Sequence, residues 1–348
     1  MVTIEPVLNI DDPRLLDFLD HFEEEDLGRA YWQARIDHWW RRNPWFEEGK
    51  PAGWILVDED RIVGFLGSIP YEIQIAGKRF LARSATTWRV EKEYRVHSEK
   101  LLFAALDACR ETALFDTTPT AVVEAMLQAF RFLHLPHPDR LTYVYTNRFD
   151  HFIESCQPRP LLRKFLRLLG RLACRCAFRS KRSKDDSVEV REILEPGGEL
   201  DTLWEKTRSQ HPHTRVRSRV ALEWYAFGPP PFRKRLFGAY REGVLRGYAL
   251  FLEKGRWFRC LDFWIDSDSR EVIGPLLDEA TRWAVCRQFV RIEVPHYHPE
   301  VARHEWNTPG HEVLENRWPA YLKSSPALIK EMKEGGSYFV WGEGDIGC

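Results

Sequence analysis

The same run of secondary-structure signals occurs twice in this chain, and that repetition limits its fold more than any other feature. Arg35 to Pro44 reads RIDHWWRRNP, an aromatic helix end stopped by proline. It precedes the apolar run Trp54-Ile55-Leu56-Val57, an Asp58-Glu59-Asp60 turn and the glycine-bearing run Ile62-Val63-Gly64-Phe65-Leu66. Arg219 to Pro229 reads RVALEWYAFGP, and Leu236 to Tyr240, an Arg241-Glu242-Gly243 turn and Leu245 to Leu250 follow it. Helix, proline stop, strand, turn and strand recur in one order, the mark of an internal duplication.

The rest of the pattern agrees. Short helices are predicted at Leu15–Phe22 and Leu27–Trp40, and a long strand at Phe80–Val90. A helix from Ser98 to Thr112 turns Leu101, Leu102, Ala105 and Cys109 inward. A strand at Leu114-Phe115, a helix from Thr120 to Ala129 and a strand at Leu141–Thr146 follow. After residue 187 come strands at Val188–Ile193, Arg235–Tyr240, Leu245–Leu252, Trp257–Ile265 and Phe289–Val294, and helices at Glu199–Gln210, Ser218–Ala226 and Glu271–Cys286. A length of 348 residues suits two domains. The division expected is 1–152, a linker over 153–186, and 187–348.

Composition excludes several classes. A net charge of -1 offers no global field for nucleic acid, so none is expected as a partner. No apolar stretch approaches the roughly 20 residues of a membrane span. Met1 to Glu5 lacks a basic start and an apolar run, so a signal peptide is not expected and a cytoplasmic site is. The seven Cys lack framework spacing, which fits free thiols. Walker, dinucleotide-binding and nucleophile-elbow patterns are not found. The 14 Trp either fill cores or line a cleft for a flat or sugar-like ligand.

One segment differs in kind. Gln157 to Lys184 holds ten Lys or Arg and no acid. Arg163, Arg167, Arg171, Arg175 and Arg179 recur every four residues among Leu161, Leu162, Phe165, Leu166, Leu168, Leu169 and Leu172, a basic amphipathic helix. It reads as a packed linker, a contact with an anionic membrane through 159–179, or a nucleic-acid contact.

The order "strand, acidic turn, strand with V-G-F, strand, long strand, then Tyr94-Arg95 and Leu101-Leu102" resembles the core of the GCN5-related N-acetyltransferase (GNAT) superfamily. The resemblance covers most of 1–150 and, more weakly, 187–345. It implies an α+β fold of two tandem GNAT-like domains, each a mixed, mostly antiparallel sheet flanked by helices. The family's phosphate loop, Q/R-x-x-G-x-G/A, matches Arg95-Val96-His97-Ser98-Glu99-Lys100, with both glycines replaced. A second match runs from Leu114 to Phe132; it implies a coenzyme contact at Thr117 or Thr118, puts Arg131 where the family has glycine, and Leu127 where it has its tyrosine acid. The segment Ile265–Arg270 stands at the loop position of the second copy, where acids would repel a pyrophosphate. Trp341 to Asp345 resembles the ending of GNAT-like proteins from bacterial exopolysaccharide and cell-envelope clusters.

The resemblance implies acetyl-CoA or another acyl-CoA as co-substrate and an amine acceptor, such as an amino sugar, a lipid-linked sugar or an amino-acid-like group. Trp88, Arg89 and Val90 would present backbone N–H groups to the thioester. Arg95, Val96, His97, Ser98 and Lys100 would hold the pyrophosphate at a helix start, with Thr118 beside them. Glu72, Glu91 and His97 are the candidate bases, and Glu93 is a further nearby acid. Alternatives are a GNAT-like binding protein without catalysis and an aminoacyl-tRNA-dependent transferase of the peptidoglycan type. His296 and His298 share a strand face, which makes zinc conceivable, but no third ligand follows from spacing and no metal site is assigned.

Overall fold

The computed structural model describes residues 1–22, 27–117, 119–135, 141–146, 156, 159–162, 164–166, 168–169, 187–227, 233–298, 300–301, 311–315, 320–334 and 336–340. The first half runs β1 (Thr3–Pro6), α1 (Pro13–Asp20), α2 (Arg29–Ile36), β2 (Gly53–Asp58), β3 (Arg61–Ile75), β4 (Lys78–Val90), α3 (Ser98–Ala108), β5 (Ala113–Asp116), α4 (Ala121–Ala129), β6 (Leu133–His134) and β7 (Leu141–Thr146). The second runs β8 (Val188–Ile193), α5 (Gly198–Thr207), β9 (His213–Arg215), α6 (Arg219–Ala226), β10 (Arg233–Arg241), β11 (Val244–Lys254), β12 (Trp257–Ile265), α7 (Ile273–Cys286), β13 (Arg291–Pro295), β14 (His311–Glu315), β15 (Tyr321–Ser324), α8 (Pro326–Glu334) and β16 (Ser337–Tyr338).

Two sheets form, with one strand order. The first is β1-β2-β3-β4-β5-β15-β6, with β9 and β16 attached beside β3. The second is β8-β10-β11-β12-β13-β7-β14. Neighbours on these two paths are antiparallel except β4 with β5 and β12 with β13, where α3 and α7 supply the crossover that a parallel pair needs. The two sheets thus share one topology.

The chain divides into two compact units: Met1–His137 with His211–Pro231 and Trp318–Cys348, and Pro138–Gln210 with Phe232–Arg317. These are not the contiguous blocks 1–152 and 187–348. Each half lends a strand to the other half's sheet. β15 enters between β5 and β6, and β7 between β13 and β14. The lent strands satisfy sheet edges that would otherwise carry unpaired backbone groups. The expected linker over 153–186 lies mostly outside the described residues.

Local signals account for the element ends. Asp12 accepts from the Arg14 N–H at 2.9 Å and Pro13 opens α1. Thr120 caps α4, and Ser218 caps α6. α2 starts later than the apolar pattern predicts, after Gly28 at φ 79°, and ends in a π-helical turn, Asp37–Arg41. The wider turn buries Trp39 and Trp40 together. Trp40 Nε1 donates to the Ser68 carbonyl at 3.0 Å, and Asn43 Nδ2 to Pro70 at 2.8 Å, so α2 is locked across β3. On the α3 side, Leu101, Leu102, Ala105 and Cys109 pack with Leu66, Leu114 and Leu127.

His213 on β9 is 2% exposed, and its Nδ1 accepts the Ala76 N–H at 3.3 Å. That bond requires a neutral ring. Burial holds the His213 pKa below the usual 6.5, with Glu331 pulling the other way. A base whose folded pKa is depressed takes up its proton more readily when unfolded, so stability falls as pH drops below about 6.5. Urea melts at pH 7.5 and 5.5 should show this loss. His213→Asn keeps an acceptor for Ala76 and should remove part of the pH slope; an unchanged slope would exclude His213 as its source.

Candidate active site

In the first unit the parallel ladder between β4 and β5 is short. It joins Ala82 to Ala113, Arg83 to Leu114 and Ser84 to Phe115, and stops. β4 continues six residues further, to Val90, paired only with β3 on its other edge. Beyond the ladder, Thr86 and Thr87 continue one strand and Asp116 and Thr117 the other; Thr86, Asp116 and Thr117 are buried. A bulge bends β4 at this point: Thr87 and Trp88 stand opposite Leu66 alone, and Thr87 has φ 51°. A β-branched residue with positive φ stores strain, on the order of 1–3 kcal/mol, and such strain collects at functional sites.

Around the bulge the side chains diverge. Trp88 and Val90 pack with the α3-side core. Arg89 points to the other face, its guanidinium 4.8 Å from the Trp32 ring centroid and 5.1 Å from that of Phe22.

The turn after β4 is helical throughout. Lys92–His97 is a 3-10 turn that runs into α3, and the Ser98 N–H already bonds to the Arg95 carbonyl. The hydroxyl of Ser98 does not cap α3; the free N–H groups of this helix start fall near Lys92 and Glu93. Arg95 and Val96 are exposed, and His97, Ser98 and Lys100 are half-buried. Charge at this turn is therefore offered by the side chains of Lys92, Arg95 and Lys100.

The three candidate bases are not brought together. Glu91 ends β4 and pairs with Arg61 at 2.5 Å. Glu72 pairs across the sheet with Leu81, six residues along β4 from Thr87, or about 20 Å of strand. Only Glu91 and His97 lie beyond the bulge. Thr118 lies outside the described residues, whereas Thr117 is 2% exposed at the end of β5.

On α4, Leu127 is 1% exposed in the core. Arg131, where the family has glycine, adopts φ 56°, the left-handed conformation that glycine favours. The sequence patterns did not reveal Tyr321 on β15. Its hydroxyl donates to Glu124 at 2.7 Å and accepts from Gln128 at 2.9 Å, bracing α4 against the lent strand. Only the pairing of β15 with β5 exposes this contact, across nearly two hundred residues of chain.

The second unit repeats the frame. The β12–β13 ladder stops at Arg259 and Glu293, again six residues before the strand ends at Ile265. A 3-10 turn, Ser267–Val272, again leads into the helix. Asp266 occupies the place of Glu91: the Glu91 N–H bonds to Val63, the Asp266 N–H to Arg246. The counterpart of Arg95–Lys100 is therefore Arg270–Pro275, five residues later than the segment Ile265–Arg270 matched by sequence. The acids Asp266 and Asp268 correspond to Glu91 and Glu93, and do not distinguish the two turns. Tyr297, 3% exposed, sets its hydroxyl 3.4 Å from the carbonyl oxygens of both Cys260 and Leu261 on β12. Glu293 sits at the end of the ladder between Arg259 and Arg291.

Among the described residues, no group of three His, Cys, Asp or Glu is arranged to hold a metal. His298 is held below the usual imidazole range by burial, then by Arg270. Trp341 to Asp345 lie outside the described residues.

No protein-family model matches the chain, and no curated protein does. Solved structures do match in fold. A GCN5-related N-acetyltransferase from Kribbella flavida matches at TM-score 0.57 and 12% identity, over 92% of this chain and 70% of that one. N-myristoyltransferase of Saccharomyces cerevisiae, solved with bound myristoyl-CoA, matches at TM-score 0.56 and 11% identity, over 97% and 89%. A probable N-acyltransferase from Enterococcus faecalis matches at TM-score 0.56 and 9% identity, over 93% and 72%. At such identities the likeness is one of fold, and the fold is that of the GNAT proteins.

Proposed function

We propose that this GNAT-fold chain is an acyl-CoA-dependent N-acyltransferase, with its acyl-CoA site between β4 and β5 of the first unit, beyond their ladder. The observation that carries the reading is the bulged β4, whose ladder with β5 stops at Ser84 while the strand runs on to Val90. A backbone N–H near Trp88 to Val90 would polarise the thioester carbonyl. The acceptor amine attacks that carbon, the C–N bond forms, the C–S bond breaks, and coenzyme A leaves with a proton. Glu91 or His97 would accept the proton of the amine. Arg95, Lys100 and Lys92 would pair with the coenzyme's phosphates through their charged heads, since the 3-10 turn consumes backbone donors that glycines would have freed. The acceptor we propose is the amine of a sugar or of an amino-acid-like group.

The second unit, with Tyr297 on its strand edge and Glu293 paired at its foot, is read as a fold partner that binds no coenzyme.

Isothermal titration with acetyl-CoA tests the site. The protein should bind saturably, and Arg95→Glu with Lys100→Glu should weaken binding by about tenfold or more, roughly 1.4 kcal/mol per decade. Binding without turnover on any supplied amine would instead favour a binding protein, a reading to which the two lost glycines and Leu127 lend weight. Equal affinity in the variant would move the site away from this turn.

A further inference from the structure

The described residues of the segment 160–169 are helical, and five of its large apolar side chains face solvent. Leu161 is 82% exposed, Leu162 50%, Phe165 56%, Leu168 53% and Leu169 44%. At 100° per residue these five fall within an arc of about 120°, a single stripe. A helix in a soluble protein ordinarily turns such a stripe to a core. Lys164, exposed, lies off the stripe by the same count. So, by spacing in the sequence, do Arg163, Arg167 and Arg171. Between Gln157 and Lys184 the chain has ten basic residues and no acidic one.

We propose that this helix is an interfacial anchor, lying in the surface of an anionic lipid bilayer with Leu161, Leu162, Phe165, Leu168 and Leu169 among the acyl chains. Two independent features converge on that partner: an apolar stripe left in water, and an unbroken basic run to pair with lipid phosphates. Nucleic acid would use the charge and leave the stripe in water. A second copy of the helix would cover the stripe and bring like charges together. Among the described residues, no helix is long and apolar enough to cross a membrane, so the attachment is peripheral through this segment. The proposal does not depend on the acyl-CoA reading. If both hold, the acceptor is one presented at a membrane surface.

Cosedimentation of the full chain with vesicles tests it. The protein should bind phosphatidylcholine–phosphatidylglycerol vesicles and not phosphatidylcholine alone, and salt should weaken the binding. Leu161→Ser with Phe165→Ser and Leu168→Ser should lower the partition coefficient by about tenfold or more, as should Arg163, Arg167, Arg171, Arg175 and Arg179 all changed to Gln. Thermal melts of the serine variant should match the parent, because Leu161, Phe165 and Leu168 are exposed. No binding to anionic vesicles would overturn the proposal. So would binding unaffected by the serine variant, or a preference for duplex DNA or RNA over anionic vesicles that only the glutamine variant loses. Acetyl-CoA titration of the serine variant should be unchanged, which separates failure of the anchor from failure of the acyl-CoA site.

Discussion

Residues 1–152 expressed alone should not fold. The fragment carries β1 to β6 but lacks β15, which lies between β5 and β6, and lacks β9, α6 and β16 as well. Tyr321, Leu322, Phe339 and Val340, all 5% exposed or less, go with them. At about 1.5–3 kcal/mol for each buried apolar side chain, their loss removes about 6–12 kcal/mol. That equals or exceeds most of the roughly 5–15 kcal/mol by which a domain is stable. The edge of β5 would be opened at the same time. The complementary fragment, 187–348, lacks β7 from the middle of its sheet and should fail in the same way. Coexpression of the two should restore structure, since each then receives its missing strand. Far-UV circular dichroism and urea melts of each fragment and of the pair would decide. A cooperative transition in 1–152 alone would mean that the lent strands are dispensable.

Glu293→Ala should destabilise the second unit by about 3 kcal/mol, at the lower end of the cost of breaking a buried ion pair. The carboxylate is 2% exposed and holds two guanidinium groups, those of Arg259 and Arg291, the latter at 2.5 Å. Arg291 also lies over the Trp257 ring at 5.0 Å. Removing the acid leaves two cations side by side at the end of the ladder. Both arginines are about a third exposed and can draw in water, which keeps the cost from the upper end of the range. A fall in Tm of about 6–12 °C corresponds, for a unit of this size. Glu293→Gln should recover part of the loss, because an amide oxygen still accepts one N–H. Denaturant melts of the three proteins, at low and high salt, would check both the size and the ionic origin. A change below about 0.5 kcal/mol would show that the arginines are held by other partners.

Much of the frame was legible in the residues. The strand signals named β12 to its ends and β4 to within two residues, because both strands are long and bounded by turns. The caps Thr120 and Ser218 stand where a hydroxyl before an apolar period should stand. Cys109 is 3% exposed on the predicted apolar face. The position of Arg131 was legible through the glycine it replaces: its backbone is left-handed all the same. Short elements were missed. β6, β9 and β16 have only two or three residues each, too few for a period to show.

The hairpins and the helix between β4 and β5 were determined by sequence alone, because each rests on side chains within a few residues of one another. Tertiary structure decided which strand lies beside which. β15 and β5 are joined across some two hundred residues, and no local propensity records that choice. It decided the bulge at Thr87 as well, since the extra residue is defined only against Leu66 on β3. It also set the Tyr297 hydroxyl against two carbonyl oxygens of a strand some 36 residues earlier. A backbone group is chemically alike at every position, so local sequence could not single out the bulge; only pairing with β3 defines it.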